Sequence, residues 1–285
     1  MSGEQAIPGV GAVPGVAAAG AELVHRDTQQ GVRILTLDSP RNRNALGTAL
    51  VGQLLGGLRE AAEDEEIRAV VITHTGTTFC AGADLAEALG RGASVAQASA
   101  AGTAAMVDLM RAILQVPKPV VIRVNGHVRA GGFGLLGAAD MVFAGPDATF
   151  ALTESRLGLA PSIISMVLLP KITARSAGRY FLTGETFGAA TAEVIGLVTA
   201  AADTDDELDS AVQTVLTGVR RAAPGGLAAT KALTTAAVLE EIERLAAIRA
   251  RESARLFDSD EAREGMTAFL SRRRPSWDLT GGNAS

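Results

Sequence analysis

Strand-like and helix-like runs alternate between residues 22 and 144, and from Asp205 onward only helical patterns remain. Two glycine-rich turns, around Gly82 and Gly126–Gly132, each stand where a strand run hands over to a helix run. Together these observations predict an α/β fold: a parallel sheet built through right-handed β-α-β crossovers, with a C-terminal helical extension. The expected division is a disordered leader over 1–20, an α/β core over 21–204, a helical region over 205–278 and a short disordered tail over 279–285.

The apolar runs Glu22–His25 and Val32–Leu37, separated by the polar stretch Arg26–Gly31, predict a β-hairpin. Pro40 and Asn42 break the chain. Leu50, Leu54, Leu55 and Leu58 then recur at helical spacing and predict a helix over Leu46–Ala62. Val70–Thr73 is a buried-strand run leading to the Gly82 turn, Met106–Leu114 is helical, and Lys118–Val124 is a second strand run leading to the next turn. Leu135–Ala139 predicts a helix and Met141–Ala144 a third strand. The helical tail is expected as four segments: Leu208–Arg221, Gly225–Glu240, Glu241–Phe257 and Glu261–Arg273.

Of the 285 residues, 47% are apolar and 20% charged, the balance of a globular enzyme, while aromatics at 4% leave the core to aliphatic packing. A formal charge of −5 argues against a nucleic-acid or anionic-membrane surface, which needs concentrated basic charge. The single cysteine, Cys80, precludes an internal disulfide. No signal-peptide pattern and no long apolar run is visible, so a reducing, cytoplasmic setting without a membrane is expected.

The glycine-rich turns admit two readings. One is tight strand-to-helix packing. The other uses the first N–H groups of a helix, which lack intrahelical partners, as donors to one carbonyl oxygen. The glycines do not keep dinucleotide spacing, and no P-loop is present. Glu154, flanked by apolar residues, is read either as a general acid/base or as a partner of Arg156 or a helix cap. His25, His74 and His127 form no zinc-ligand spacing and accompany no nucleophile elbow, so a metal site is not expected. Arg272-Arg273-Arg274 is read as a solvated helix end or as a phosphate clamp.

Four segments carry a resemblance: Ser39-Pro40-Arg41-Asn42-Arg43-Asn44-Ala45-Leu46, Phe79–Leu85, Asn125–Leu135 and Glu264–Pro275, with Tyr180–Glu185 and Ala189–Val198 as supporting stretches. In this order and spacing the chain resembles the crotonase superfamily, the enoyl-CoA hydratase/isomerase proteins. The resemblance implies a spiral of β-β-α units, a C-terminal helical region that builds a homotrimer or homohexamer, and an acyl-CoA thioester as substrate. No separate cofactor is implied, because coenzyme A is part of the substrate. It also implies that the thioester carbonyl lies between the N–H groups of Ala83 and Gly131. Ala81, Gly82, Asp84, Leu85 and Gly132 would border the substrate, and Arg272 would contact CoA phosphate.

The sequence departs from the family pattern at one decisive place. Hydratases of the family carry two glutamates about a bound water; the later one matches Glu154, but the earlier position is Gly134. Ala130 stands where the first glycine of a triplet is usual, and Ser162-Ile163-Ile164-Ser165 replaces a glycine-rich loop. The expected acyl pocket is therefore narrower or more apolar. Three readings follow: a hydratase in which Glu154 performs both proton transfers, with water held by backbone or Ser162; a 3,2-enoyl-CoA isomerase using Glu154 alone; and a CoA-thioester-binding subunit with little catalysis. Phe150-Ala151-Leu152-Thr153-Glu154, Arg179–Thr183 and the glycine at 134 resemble bacterial methylglutaconyl-CoA hydratase-like members, which favours the first. Arg129, two residues before Gly131, is weighed as a reader of an acyl carboxylate against a plain surface or trimer contact.

Overall fold

The computed structural model describes residues 20–84, 87 and 95–280. The expected leader as far as residue 19, Leu85, and the tail from 281 lie outside the described residues.

The chain repeats a β-β-α unit. The first consists of β1 (Val24–Gln29), β2 (Val32–Leu37) and α1 (Thr48–Glu63). The second consists of β3 (Ala69–His74), β4 (Thr78–Cys80) and α2 (Val95–Gln115), and the third of β5 (Val120–Val124), β6 (His127–Arg129) and α3 (Gly132–Ala138). Next come β7 (Met141–Ala144) and β8 (Thr149–Ala151), followed by a 3-10 turn over Glu154–Leu157. The chain continues through α4 (Ser165–Leu168), α5 (Ala174–Thr183), β9 (Phe187–Gly188), α6 (Ala189–Val194) and β10 (Ala200–Ala201). From the second unit on, the first strand joins a six-stranded sheet of order β1-β2-β3-β5-β7-β10, and the second joins a small sheet of order β4-β6-β8-β9.

The expected parallel sheet is present: β2, β3, β5, β7 and β10 run parallel, and β1 pairs antiparallel at the edge. Alternation along β3 explains why it is buried on both faces. Val70 and Ile72 face one core with α1 and α2, while Ala69 and Val71 face another with the α7 helix (Asp205–Arg220). On α2, Met106, Met110 and Ile113 form the helical-period stripe that fills the first core. Leu208, Val212, Leu216 and Val219 do the same for α7, whose N-cap is the Thr204 hydroxyl accepting from the Glu207 N–H.

Three expectations are corrected. The polar stretch Arg26–Gln29 is strand, not turn; β1 is an edge strand exposed beyond Val24, so it needs no apolar alternation. The second sheet was not expected, because β4, β6 and β8 are each three residues long and show no period. The two helices expected over 225–240 and 241–257 are one, α8 (Pro224–Phe257): nothing between Glu240 and Glu241 breaks a helix. Lys231 anchors α8 inside the molecule. Its Nζ lies 2.8 Å from Asp140 Oδ2 and donates to the carbonyls of Ile113 and Lys118. A buried ammonium is tolerated there because all its protons are used. A last helix, α9 (Asp260–Leu270), begins at the Ser259 cap and returns to the turn at Glu154–Leu157.

Candidate active site

The small sheet positions the chemistry. Cys80 pairs with Val128, and Arg129 pairs with Ala151, all in parallel strands. Three residues beyond Cys80 is Ala83, three beyond Val128 is Gly131, and three beyond Ala151 is Glu154. Strand register thus carries the three singled-out residues to the same C-terminal edge, where ligands of parallel sheets gather.

The two glycine-rich turns touch. A Cβ built on Gly82 would lie 2.7 Å from the Ala130 Cβ and 3.3 Å from the Gly131 nitrogen. Gly82 adopts φ +95°, a left-handed conformation that only glycine enters without cost. Ala130 also lies at positive φ, +44°, a strained value for a residue with a side chain and the reason a glycine is usual there. The chain over 43–46 clamps the first turn: the Ala81 N–H donates to Arg43 O at 3.1 Å and the Leu46 N–H to Gly82 O at 2.7 Å. Neither the Ala83 nor the Gly131 N–H has an acceptor among the described residues. Gly131 is the N-cap of α3, so its N–H stands at the positive end of that helix. Two free N–H groups from abutting turns can receive one anionic oxygen.

Glu154 opens the 3-10 turn that follows β8. The residue is half-buried, yet its Oε2 is shut off from solvent and has no hydrogen-bond partner among the described residues. Burial pushes its carboxyl up to about 7. Pairing with Arg156 does not occur: the Arg156 Nε donates to Thr183 O instead. A carboxyl that is buried, with one oxygen unpartnered among the described residues, and balanced between its two forms near neutrality is suited to accept and return a proton.

At Gly134, the place of the family's earlier glutamate, a side chain would require Met106 to move. A Cβ there would sit 2.7 Å from Met106 Sδ and 3.1 Å from Ile164 Cγ2. The Met106 methyl reaches across to within 2.9 Å of a Cβ on Gly131, where Leu46 Cδ1 also lies at 3.2 Å. Met106 and Leu46 were not singled out from the sequence; both read as ordinary members of an apolar helix stripe or loop, and their position follows from packing alone.

The remaining singled-out residues divide. Asp84 accepts from the Asn42 side chain at 3.0 Å and from the Glu87 N–H at 2.9 Å, so it fastens the first turn. Gly132 packs on Cys80, whose β-carbon would lie 2.9 Å from a Cβ placed there. Ser162 accepts at its carbonyl from the Ser165 hydroxyl, and its own hydroxyl has no partner among the described residues. Arg272 is exposed and outside any described ion pair, whereas Arg273 is held by Glu264 and Arg274 by Asp278. Leu85 lies outside the described residues. Arg129 spends its guanidinium on Val128 O, Thr149 O and the Thr149 hydroxyl, which leaves the idea of an acyl-carboxylate reader without support.

Comparison with known proteins agrees with this architecture. The family model described as enoyl-CoA hydratase/isomerase matches residues 27–280. The chain is 32% identical over 252 residues to the 2,3-dehydroadipyl-CoA hydratase of Escherichia coli K12, covering 87% of this chain and 96% of that protein. It is 29% identical over 264 residues to the 1,2-epoxyphenylacetyl-CoA isomerase of the same organism, covering 90% and 98%. Among solved structures, an enoyl-CoA hydratase from Mycobacterium avium superposes with a TM-score of 0.84 at 54% identity, covering 90% of this chain and 99% of that one. With a spiral of β-β-α units, a C-terminal helical region and a family match across nearly its whole length, the chain belongs to the enoyl-CoA hydratase/isomerase family, within the crotonase superfamily of enzymes acting on acyl-CoA thioesters.

Proposed function

We propose that the protein is an enoyl-CoA hydratase that adds water across a 2-enoyl-CoA through a thioester enolate, with Glu154 making both proton transfers. The observation that carries this reading is the buried, unpartnered Glu154 Oε2, poised near neutrality at the strand edge shared with Ala83 and Gly131. The thioester carbonyl lies between the Ala83 and Gly131 N–H groups. As a water oxygen attacks C3, the Glu154 carboxylate takes the water proton and the electron pair moves to the carbonyl oxygen, where the two N–H dipoles stabilise it. Glu154 then returns the proton to C2. Loss of one such fixed donor costs about 10²–10³ in rate. Ala81, Gly82, Asp84 and Gly132 border the bound thioester through their backbone, Ser162 offers a hydroxyl to the water, and Arg272 offers a free guanidinium to a CoA phosphate. Coenzyme A enters as part of the substrate, with no further cofactor.

A second reading, 3,2-enoyl-CoA isomerase, is favoured by the filled space at Gly134. Moving a proton between C2 and C4 needs one carboxylate and no water. The assembly we propose is a homotrimer or a hexamer of two trimers, supported by the apolar side chains Leu182, Val194, Leu233 and Phe269, which are exposed in the single chain. A cytoplasmic setting is supported by the single, buried, reduced cysteine. No helix among the described residues is long and apolar enough to cross a membrane.

Purified protein offered crotonyl-CoA, a 3-enoyl-CoA and 3-methylglutaconyl-CoA tests the reading by the absorbance of the conjugated thioester. Loss of absorbance with a conjugated substrate is the expected result. Gain from the 3-enoyl substrate without hydration moves the assignment to the isomerase. Silence on all three overturns both.

A further inference from the structure

Met106 belongs to the core stripe of α2, and its end also reaches the two glycines of the second turn. Its sulfur lies against Gly134 and its terminal methyl against Gly131, at 2.7 and 2.9 Å from where side chains on those glycines would begin. One thioether therefore spans from the α-carbon of Gly131 to the position where the family's earlier glutamate stands. Ile164 and Met110 crowd the same point on Gly134, with Ile164 Cγ2 at 3.1 Å and Met110 Sδ at 3.4 Å. Leu46 closes the other side of Gly131. Met106 keeps 9% of its surface accessible, and its sulfur and methyl lie on the two glycines that the proposed site uses.

We infer that Met106 is a specificity-determining residue: it closes the acyl pocket on the Gly134 side and admits thioesters that are unbranched at C2. This rests on the reading that the substrate carbonyl is held at the Gly131 N–H. A carbonyl so held brings C2 to lie beside Gly131, because C2 is bonded to the carbonyl carbon. A substituent on C2 directed toward Gly134 then meets the Met106 thioether, with Ile164 and Met110 lining the same space at Gly134. Interiors packed at this density resist even one added methyl group. Methionine is the most adaptable apolar side chain, so the discrimination is graded, and Ile164 and Met110 beside the same point on Gly134 add to it. The same wall keeps water off this side of the enolate, so water and proton approach from the Glu154 side.

Butyryl-CoA and isobutyryl-CoA are saturated isomers that differ in branching at C2, so they compare shape at constant composition. Calorimetric titration of the full chain with each gives the discrimination ratio. The wild-type protein is expected to bind butyryl-CoA about tenfold or more tighter, the scale at which overpacking by one methyl is felt. Met106→Ala is expected to bring the ratio within about twofold, Met106→Val to give an intermediate value, and Met106→Leu to keep the wild-type preference. The valine and leucine variants keep the test available where the alanine variant does not fold. A wild-type ratio near one, or a ratio unchanged in the Ala and Val variants, overturns the inference. Turnover of crotonyl-CoA separates it from the reaction assignment: an inert wild-type protein with the expected ratios overturns the hydratase reading alone, and an active one without them overturns the role of Met106 alone.

Discussion

Gly265 of α9 rests directly on Leu157: a Cβ at Gly265 would stand 2.5 Å from the Leu157 carbonyl oxygen and 2.6 Å from its carbonyl carbon. Leu157 ends the 3-10 turn that Glu154 begins. Across the same contact, a Cβ on Gly158 would lie 2.7 Å from the Glu261 carbonyl carbon. The C-terminal helix and the turn bearing the carboxyl are thus held backbone to backbone.

Gly265→Ala opposes two effects. Alanine favours a helix over glycine by about 1 kcal/mol. Overpacking against a backbone that has no rotamer to change costs about 1–3 kcal/mol. The clash is expected to win, giving a lower Tm and slower turnover per folded molecule as the Glu154 turn moves. A Tm equal to or above wild type would show that α9 slides away at no cost.

Glu154→Gln separates catalysis from stability. The Glu154 carboxyl is raised in the folded chain to about 7 from an ordinary 4.5. The folded state therefore prefers the neutral form: its stability is fully present below about 4.5 and is lost as pH rises through about 7. Glutamine cannot ionise, so the variant is expected to match wild type at pH 4.5 and to be the more stable at pH 8, by at most ~3 kcal/mol given about 1.4 kcal/mol per unit. Thermal melts of both proteins across this range check the sign. Turnover of the variant is expected to fall by about 10²–10⁴ while CoA-thioester binding survives.

The proposed role of the same carboxyl predicts a pH profile. In the proposed hydration Glu154 starts as a base, so kcat/KM for the wild-type protein is expected to rise with pH through about 7 and then level. A profile flat between pH 5.5 and 8.5 would remove Glu154 from the role.

Asn44 is fully buried and holds the loop that clamps the first turn. Its Oδ1 accepts from the Ser39 N–H at 2.6 Å, and its Nδ2 donates to Thr78 O at 2.7 Å and Thr75 O at 3.3 Å. Asn44→Ala leaves these backbone groups without partners, at about 1–3 kcal/mol for each buried group stranded. Denaturant melts are expected to show at least that loss, with turnover reduced further because Leu46 and Ala81 lose their register.

Cys80 lies beneath the first turn, with its sulfur accepting from the Gly82 N–H at 3.4 Å. Burial pushes the thiol up to about 12, so thiolate is scarce at neutral pH. Iodoacetamide at pH 8 is expected to leave the folded protein unlabelled and to label it in denaturant. Rapid labelling of the folded protein would mean that the turn opens.

Much of the fold was legible in the chain. The strand runs Val70–Thr73 and Lys118–Val124, the helix at Leu50–Leu58 and the helical tail were read from periodicity, which neighbouring residues along the chain determine. Glu154 and the glycine-rich turns stood out because turn chemistry and an acid among apolar residues are also local signals. Those residues determined by themselves that the protein is a parallel α/β chain with N–H-rich strand ends and one placed carboxyl.

The small sheet was decided only in three dimensions. Its three-residue strands have no period to read, and it is their pairing that sets Ala83, Gly131 and Glu154 along one edge. The same holds for Met106 at Gly134 and for Gly265 on Leu157. Nothing near either partner in sequence announces the other, because which side chain fills a given volume depends on how separate helices and turns pack together.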